Sequence, residues 1–105
     1  MTDNKDISTN IAQESQILTL EEFCQAIHAK KEIVITMVEY QLIQPQGETP
    51  DEWQFDAILL KRGKIAVSFY QDLEINMSGV ALALELLDKI DELQQQVNIL
   101  KKLVS

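Results

Sequence analysis

The last third of the chain, residues 77–104, carries an apolar stripe that a lone helix cannot bury. Its residues recur in alternating steps of four and three, the heptad repeat of a coiled coil, for about two and a half heptads. No proline or glycine interrupts it after Gly79. Acidic residues come early and Lys101 and Lys102 come late, which suits the helix dipole. We call this stripe the seam; its residues are Leu86, Ile90, Leu93, Val97, Leu100 and Val104.

A seam of this kind predicts a long helix that pairs with another helix. The expected partner is a second copy of the chain, because symmetric homo-oligomers are the common solution for an exposed heptad repeat. The sequence therefore predicts a homodimer. The residues expected to hold its two chains together are Leu86, Ile90, Leu93, Val97 and Leu100.

Composition limits what else the chain can be. Its 105 residues leave room for one small domain besides the long helix. The net charge is −8, from 17 acidic and 9 basic residues. Binding to phosphates needs a basic face, so this balance argues against nucleic acid as a partner and favours a basic protein surface.

The sequence also suggests a compartment. The single cysteine, Cys24, excludes an internal disulfide and suits a reducing environment. The first residues lack the apolar run of a signal peptide, and nowhere do about 18 apolar residues follow one another. We expect a cytoplasmic protein that does not enter a membrane.

Two short helices are predicted near the start of the chain. Residues 1–16 are polar and aperiodic, which predicts a disordered tail. Thr19 and Glu22 form the capping box of a first helix that runs to about Ile27. After a short break a second helix is expected from about Lys31 to Tyr40, although its β-branched residues would also permit a strand. Together they predict a helix-turn-helix unit.

The middle of the chain predicts a small wing and a third helix. Two extended pieces, residues 42–45 and 53–55, flank a loop that contains glycine and proline, which is the pattern of a hairpin. Asp56 is a suitable cap for a helix from Ala57 to about residue 71. Asn76 or Ser78 could cap the long helix. We therefore expect a helix-turn-helix domain over residues 17–75 and a coiled-coil helix over residues 76–105.

This order of elements resembles the MerR-type winged helix, and several short motifs narrow the resemblance to the chaperone-modulator family CbpM. The similarity covers residues 17–103. The fold it implies is mainly α: a degenerate MerR-like winged helix-turn-helix with a small β wing, followed by a long C-terminal coiled-coil helix. The motifs are Leu18–Cys24, Gln44-Pro45, Trp53–Asp56, Gly79–Leu84 and Leu87-Asp88.

The resemblance implies a small regulator without enzymatic activity. Members of the CbpM family bind the J-domain of the DnaJ-like co-chaperone CbpA and inhibit its work with the Hsp70 chaperone DnaK and its DNA binding. J-domains present a basic helix to the acidic Hsp70, so an acidic competitor is physically reasonable. The expected docking residues are the acids Glu21, Glu32 and Glu39, with Tyr40 and Trp53 as candidate anchors.

Two other functions stay open at this point. One is a MerR-like DNA-binding transcriptional regulator that uses the chain's only basic cluster, Lys61, Arg62 and Lys64; the other is a structural coiled-coil adaptor. Against DNA binding, the second helix contains no arginine, whereas a groove-reading helix needs donors for phosphates and base edges. For the basic cluster a solvated helix face is the favoured interpretation. For Trp53, anchoring of the wing in the core is favoured over an exposed patch.

No pattern in the sequence indicates catalysis. His28 lies in a turn without a nucleophile nearby in sequence, and Cys24 fits a packed core thiol. One histidine and one cysteine, four residues apart, are too few ligands for a metal. We therefore expect no enzyme, no metal and no cofactor.

Overall fold

The computed structural model describes residues 16–104, and within them the chain is mainly helical. Helix α1 spans Leu20–Ile27, α2 spans Lys31–Glu39, α3 spans Ala57–Val67 and α4 spans Met77–Val104. A short 3₁₀ turn, Pro50–Glu52, precedes α3, and a π-helical turn, Ser68–Asp72, follows it. The mainly α fold is confirmed. The disordered tail expected over residues 1–16 lies, except for Gln16, outside the described residues.

The beginning and end of α1 follow from local chemistry. The Glu22 amide donates to Thr19 Oγ1 over 3.2 Å, and the Thr19 amide donates to Glu22 Oε1 over 2.9 Å. This reciprocal pair is the predicted capping box. At the other end, His28 adopts a left-handed φ of 57°, and its amide donates to the carbonyl oxygens of Cys24 and Gln25. The chain then reverses into α2.

The α2 segment is a helix and not the strand that its β-branched residues would permit. Val34 and Met37 are completely buried, so tertiary packing outweighs the weak local preference. The helix ends at Glu39, one residue before the expected boundary. Gln41 has a φ of 63° and turns the chain towards Leu42.

The expected small β wing is not confirmed. The described residues contain only two isolated antiparallel bridges, Leu18 with Phe55 and Gln46 with Gln54. Phe55 exchanges two backbone hydrogen bonds of 2.8 and 2.9 Å with Leu18, and Gln54 does the same with Gln46 over 2.8 and 3.2 Å. The strand pairing does not extend beyond the bridge between Gln46 and Gln54. The chain between these two residues turns at Gly47, where φ is 113°, and enters the 3₁₀ turn that begins at Pro50.

The core lies between α1, α2, α3, the bridged segment and the start of α4. Its centre is a stacked pair of rings, Phe23 and Phe55, with centroids 4.1 Å apart. Trp53 lies edge-on to Phe55, with centroids 6.3 Å apart, and is partly buried. Gly63 of α3 lets the helix approach the Phe23 ring closely.

Helices α3 and α4 start at predicted caps. Asp56 Oδ1 accepts from the Leu59 amide, and Asn76 Oδ1 accepts from the Gly79 amide, each over 2.9 Å. The first two turns of α4 are held against the rest of the chain by the buried residues Met77, Val80 and Leu84. From Glu85 onward every described residue of the helix is exposed. In residues 16–104 no helix is long and apolar enough to span a membrane.

Candidate protein-interaction surfaces

The outer side of α2 is acidic. Glu32, Ile35, Thr36 and Glu39 follow the helical spacing i, i+3, i+4, i+7 and so share one face. This face is opposite the buried side of the helix, and both glutamates on it are exposed. The α2 lysines stand at its first turn, where Lys30 is the N-cap and Lys31 the first helical residue. The second helix of the helix-turn-helix unit therefore presents carboxylates and a half-buried isoleucine over most of its length.

Glu21 of α1 and Glu32 of α2 both influence the thiol of Cys24. Burial raises the pKa of the Cys24 thiol, and the Glu21 carboxylate raises it further. Lys31 lowers that pKa and Glu32 raises it again, so all three charges lie within electrostatic reach of one thiol. Glu21 of α1 and Glu32 of α2 therefore act on the same thiol, a relation that sequence reasoning did not foresee.

The third candidate acid lies at the far end of α2. Glu39 is seven residues after Glu32, which is about 10 Å along a helix axis. The acids Glu21, Glu32 and Glu39 therefore form an elongated strip and not a compact cluster. Next to Glu39, the residue Tyr40 is 48% exposed. We call Glu21, Glu32, Ile35, Glu39 and Tyr40 the α2 strip.

Trp53 is placed differently from Tyr40. It packs edge-on against Phe55 and against the core, and it is only partly exposed. This packing favours its interpretation as an anchor for the bridged segment over a recognition patch.

The predicted basic cluster is divided by the structure. The Nε–H of Arg62 donates to the Leu42 carbonyl oxygen over 2.6 Å, and its Nη1 donates to Asp88 Oδ1 over 3.0 Å. The chain's only arginine therefore joins α3 to the loop after α2 and to α4. Lys61 and Lys64 are exposed. Sequence reasoning missed the role of Arg62, because no local pattern connects it with Leu42 or with an aspartate 26 residues away.

The seam lies on the free side of α4. Residues Met77, Val80 and Leu84, which face the core, lie about 120–180° around the helix axis from it. In the single chain each of its first five residues keeps between 42% and 60% of its surface exposed, and Val104 keeps 85%. The first five are Leu86, Ile90, Leu93, Val97 and Leu100, the predicted dimerisation set, and within residues 16–104 all of them are exposed.

The groups considered for catalysis, His28 and Cys24, both lie at the end of α1. His28 is exposed at the end of α1, and Cys24 is partly buried with a raised pKa, which keeps the thiol protonated at neutral pH. Within residues 16–104 no group of three or more His, Cys, Asp or Glu side chains could hold a metal ion. These residues form no arrangement of nucleophile, base and orienting group.

The helix pair, the reduced wing and the terminal helix are those of a helix-turn-helix regulatory protein. Residues 18–102 match the family described as MerR HTH family regulatory protein. The chain is also 52% identical over 92 residues to a protein of Coxiella burnetii named chaperone modulatory protein CbpM, covering 88% of this chain and 87% of that relative.

Two Pseudomonas proteins with the same name are more distant. One from Pseudomonas putida is 40% identical over 85 residues, and one from Pseudomonas entomophila is 40% identical over 88 residues. Each comparison covers 81% of this chain and 84% of the relative. The chain belongs to the CbpM family of MerR-like proteins, which confirms the resemblance stated from its motifs.

Proposed function

We propose that this protein is a non-enzymatic, cytoplasmic chaperone modulator that binds the J-domain of a DnaJ-like co-chaperone of the CbpA type. Binding inhibits the co-chaperone and DNA-binding activities of that partner. Membership in the CbpM family supports the proposal. We also propose that the protein is a homodimer held by the seam, whose apolar side chains are exposed in the single chain.

The observation that carries the J-domain proposal is the α2 strip. In a helix-turn-helix protein that reads DNA, the second helix offers cations and amides to phosphates and base edges. Here the outer face of that helix carries Glu32 and Glu39, and the only arginine is bonded elsewhere. A negative strip repels nucleic acid and attracts the basic helix of a J-domain.

The α2 strip offers the J-domain both long-range electrostatic attraction and an apolar contact. Exposed ion pairs are each worth about 0–1 kcal/mol, so the three carboxylates act mainly through their summed field. Affinity needs a buried anchor as well. Tyr40, next to Glu39, and Ile35, between the two acids of α2, are the apolar side chains of the strip and supply that anchor.

Calorimetric titration with a purified J-domain tests the proposal. We expect the triple variant Glu21→Lys, Glu32→Lys, Glu39→Lys to bind more weakly and to lose most of the salt dependence of binding. The matched control is Glu85→Lys, Asp91→Lys, Glu92→Lys, which makes the same change in net charge on the exposed part of α4. The control should keep most of the affinity, because α2 is untouched.

Equal affinities and equal salt slopes for the wild type and the α2 variant would remove the strip from the site. An equal loss in both triple variants would mean that net charge alone matters. Absence of binding to any J-domain of the same cell would overturn the proposed function. Binding of the wild type to duplex DNA near physiological ionic strength, with a steep salt dependence, would favour a transcriptional regulator instead.

A further inference from the structure

Helix α3 is basic in a chain that is strongly acidic overall. It contains three cationic residues and no acidic one, whereas the whole chain has 17 acidic and 9 basic residues. Arg62 is bonded to the Leu42 carbonyl oxygen and to Asp88. Lys61 and Lys64 are exposed and form no ion pair within residues 16–104. Two unpaired positive charges therefore stand on this helix.

The two lysines share one side of α3 with apolar residues. We call this side the α3 face; its residues fall within about 120° around the helix axis and are Ala57, Ile58, Lys61, Lys64 and Ile65. The buried residues Gly63, Ala66 and Val67 lie on the opposite side of the helix. Ile58 keeps 76% of its surface exposed, more than any other large apolar residue between residues 16 and 84.

A shallow groove continues the α3 face onto the bridged segment. Ile17 and Ile58 line it together, and Ile17 is 51% exposed. Three exposed glutamines also line it, namely Gln44, Gln46 and Gln54. Their side-chain amides can donate hydrogen bonds to carboxylates and to backbone carbonyl oxygens. The groove thus combines an apolar floor with uncharged donors and leads to the two lysines.

Asp56 also borders the groove, but it does not cancel the two lysines. Its Oδ1 accepts from the Leu59 amide over 2.9 Å, so the carboxylate is held at the N-terminus of α3, where the helix dipole offsets its charge. Lys61 and Lys64 lie five and eight residues further on, which is about 8 and 12 Å along the axis. The positive part of the α3 face is therefore away from this carboxylate.

We propose that the α3 face and its groove form a second docking surface, whose occupant is an acidic amphipathic segment of another protein. Carboxylates of that segment pair with Lys61 and Lys64, and its apolar side chains cover Ile17 and Ile58. From Ala57 to Ile65 the face is about 12 Å long, which matches about two turns of a bound helix. This inference goes beyond the J-domain proposal and does not rest on it, because a J-domain offers a basic helix.

Charge and polarity favour this occupant over an extended polyanion. Duplex DNA or an anionic membrane presents negative charge over a wide area, and it meets the net charge of −8 of the chain as well as the two lysines. A short acidic segment meets only the local positive charge. A segment without apolar residues leaves Ile17 and Ile58 in water, so apolar side chains belong to the occupant.

Fluorescence anisotropy with synthetic peptides tests the proposal on the full-length protein. The probe is a fluorescein-labelled peptide of about 14 residues, with leucines at the helical spacing i, i+3, i+4, i+7 and with glutamates and alanines elsewhere. Two matched probes replace its glutamates with lysines, or its leucines with serines. We expect the wild type to bind the acidic amphipathic probe about tenfold more tightly than either matched probe.

Charge-reversal variants assign the binding to the α3 face. Lys61→Glu with Lys64→Glu should weaken binding of the acidic amphipathic probe about tenfold, because two ion pairs are lost and become repulsive. The matched control is Lys101→Glu with Lys102→Glu, which makes the same change in net charge at the exposed end of α4. The control should keep the affinity of the wild type within about twofold.

Apolar variants and chemical-shift mapping test the groove separately. Ile58→Ser should weaken binding about fivefold, whereas Leu73→Ser, which removes another exposed apolar side chain, should not weaken it. In the wild type, the amide shifts that the probe changes should centre on Ile17 and Ile58 and not on the α2 strip. Changes that centre on any other part of the chain would overturn the proposed surface, whatever the variants show.

Several results would contradict the proposal. No binding of the acidic amphipathic probe, equal binding of either matched probe, or equal losses in both lysine pairs would overturn it. Tighter binding of duplex DNA or of phosphatidylserine vesicles would assign the α3 face to a polyanion instead. A smaller mass in sedimentation for Lys61→Glu with Lys64→Glu would assign it to a second copy. That variant should bind an isolated J-domain like the wild type, and a loss there would place the α3 face in the J-domain site.

Discussion

Gly63 stands where α3 passes over the ring of Phe23. A Cβ atom at this position would lie 2.6 Å from Cζ and 3.3 Å from Cε2 of that ring. The ring cannot retreat easily, because it is completely buried and stacked on Phe55. The glycine is therefore explained by packing and not by backbone freedom.

We expect Gly63→Ala to destabilise the protein by about 1 kcal/mol. Helix propensity alone predicts a gain of about 1 kcal/mol, whereas overpacking of a filled core costs about 1–3 kcal/mol. Urea unfolding followed by circular dichroism measures the difference. In a Phe23→Leu background the same substitution should be neutral or stabilising, because the obstructing ring is gone. A more stable single variant would contradict the packing explanation.

The environment of Cys24 predicts that its thiol reacts slowly and that the unfolding free energy depends on pH. Burial and Glu21 raise the pKa of the folded thiol, so folding favours the protonated form. This contribution to stability is present below the pKa of the unfolded thiol and is lost as the pH rises above it. We expect the unfolding free energy of the wild type, relative to Cys24→Ala, to fall above about pH 8.5. A difference that is constant from pH 7 to pH 10 would contradict this.

Alkylation of Cys24, the chain's only cysteine, tests the electrostatic cause separately. At pH 8 the folded protein should react with iodoacetamide more slowly than the urea-unfolded chain, because less thiolate is present. Glu21→Gln should accelerate the reaction. The Glu21 carboxylate raises the pKa of the Cys24 thiol, so its removal lowers that pKa and increases the fraction of thiolate. Glu39→Gln, which is not among the groups that shift the thiol, is the control. Equal rates for all three folded proteins would exclude Glu21 as a cause.

At the scale of elements, the boundaries that sequence reasoning predicted well are those set by neighbouring residues. Three helices are capped by a side chain that accepts from the amide three residues later, and the capping residues are Thr19, Asp56 and Asn76. A short stretch of sequence is therefore enough to predict where each helix begins. The wing was overestimated because its pairing depends on the path of the loop between two extended pieces. Leu18 and Phe55 pair although they are 37 residues apart in sequence, and no local pattern predicts that bridge.

Arg62 is the element-scale contact with the clearest energetic expectation. Its Nε bond to the Leu42 carbonyl oxygen is partly buried, whereas Asp88 is mostly exposed. Hydrogen bonds from charged groups contribute about 1.5–3 kcal/mol, and exposed ion pairs about 0–1 kcal/mol. We therefore expect Arg62→Lys to cost about 1–2 kcal/mol and Asp88→Asn less than about 1 kcal/mol. Chemical unfolding of both variants measures this order, and a larger loss for Asp88→Asn would contradict it.

At the scale of the whole molecule, the structure separates the two proposed interfaces. The α2 strip belongs to the helix-turn-helix body, and the seam belongs to the free side of α4. Sequence reasoning proposed the acids of the strip and the residues of the seam for these two interfaces. It did not include Ile35 in the strip, because the burial of Val34 and Met37 on the opposite face is seen only in the structure. It gave Trp53 as a candidate docking anchor but favoured its anchoring of the wing in the core, and the structure packs that ring against Phe55.

This separation predicts that assembly and docking can be disrupted one at a time. Ile90→Asp with Val97→Asp places charges in two layers of the seam and should give monomers in analytical ultracentrifugation. The same variant should bind an isolated J-domain with the affinity of the wild type, because the α2 strip is unchanged. Ser78→Asp with Gln95→Asp, both exposed and outside the seam, is the control and should remain dimeric. A wild type that is already monomeric would refute the assembly.

If the exposed part of α4 pairs with a second copy, its folding would depend on the concentration of the protein in the cell. Residues 85–104 are exposed along their whole length, and among them Asp88 pairs with Arg62 of α3. An isolated helix of about 20 residues is only marginally stable in water. Pairing would supply the missing stability, so helix content would rise with protomer concentration by mass action. When the protein is scarce, its last five turns would fray and become substrates for proteases. Abundant protein would be protected, and scarce protein would be cleared.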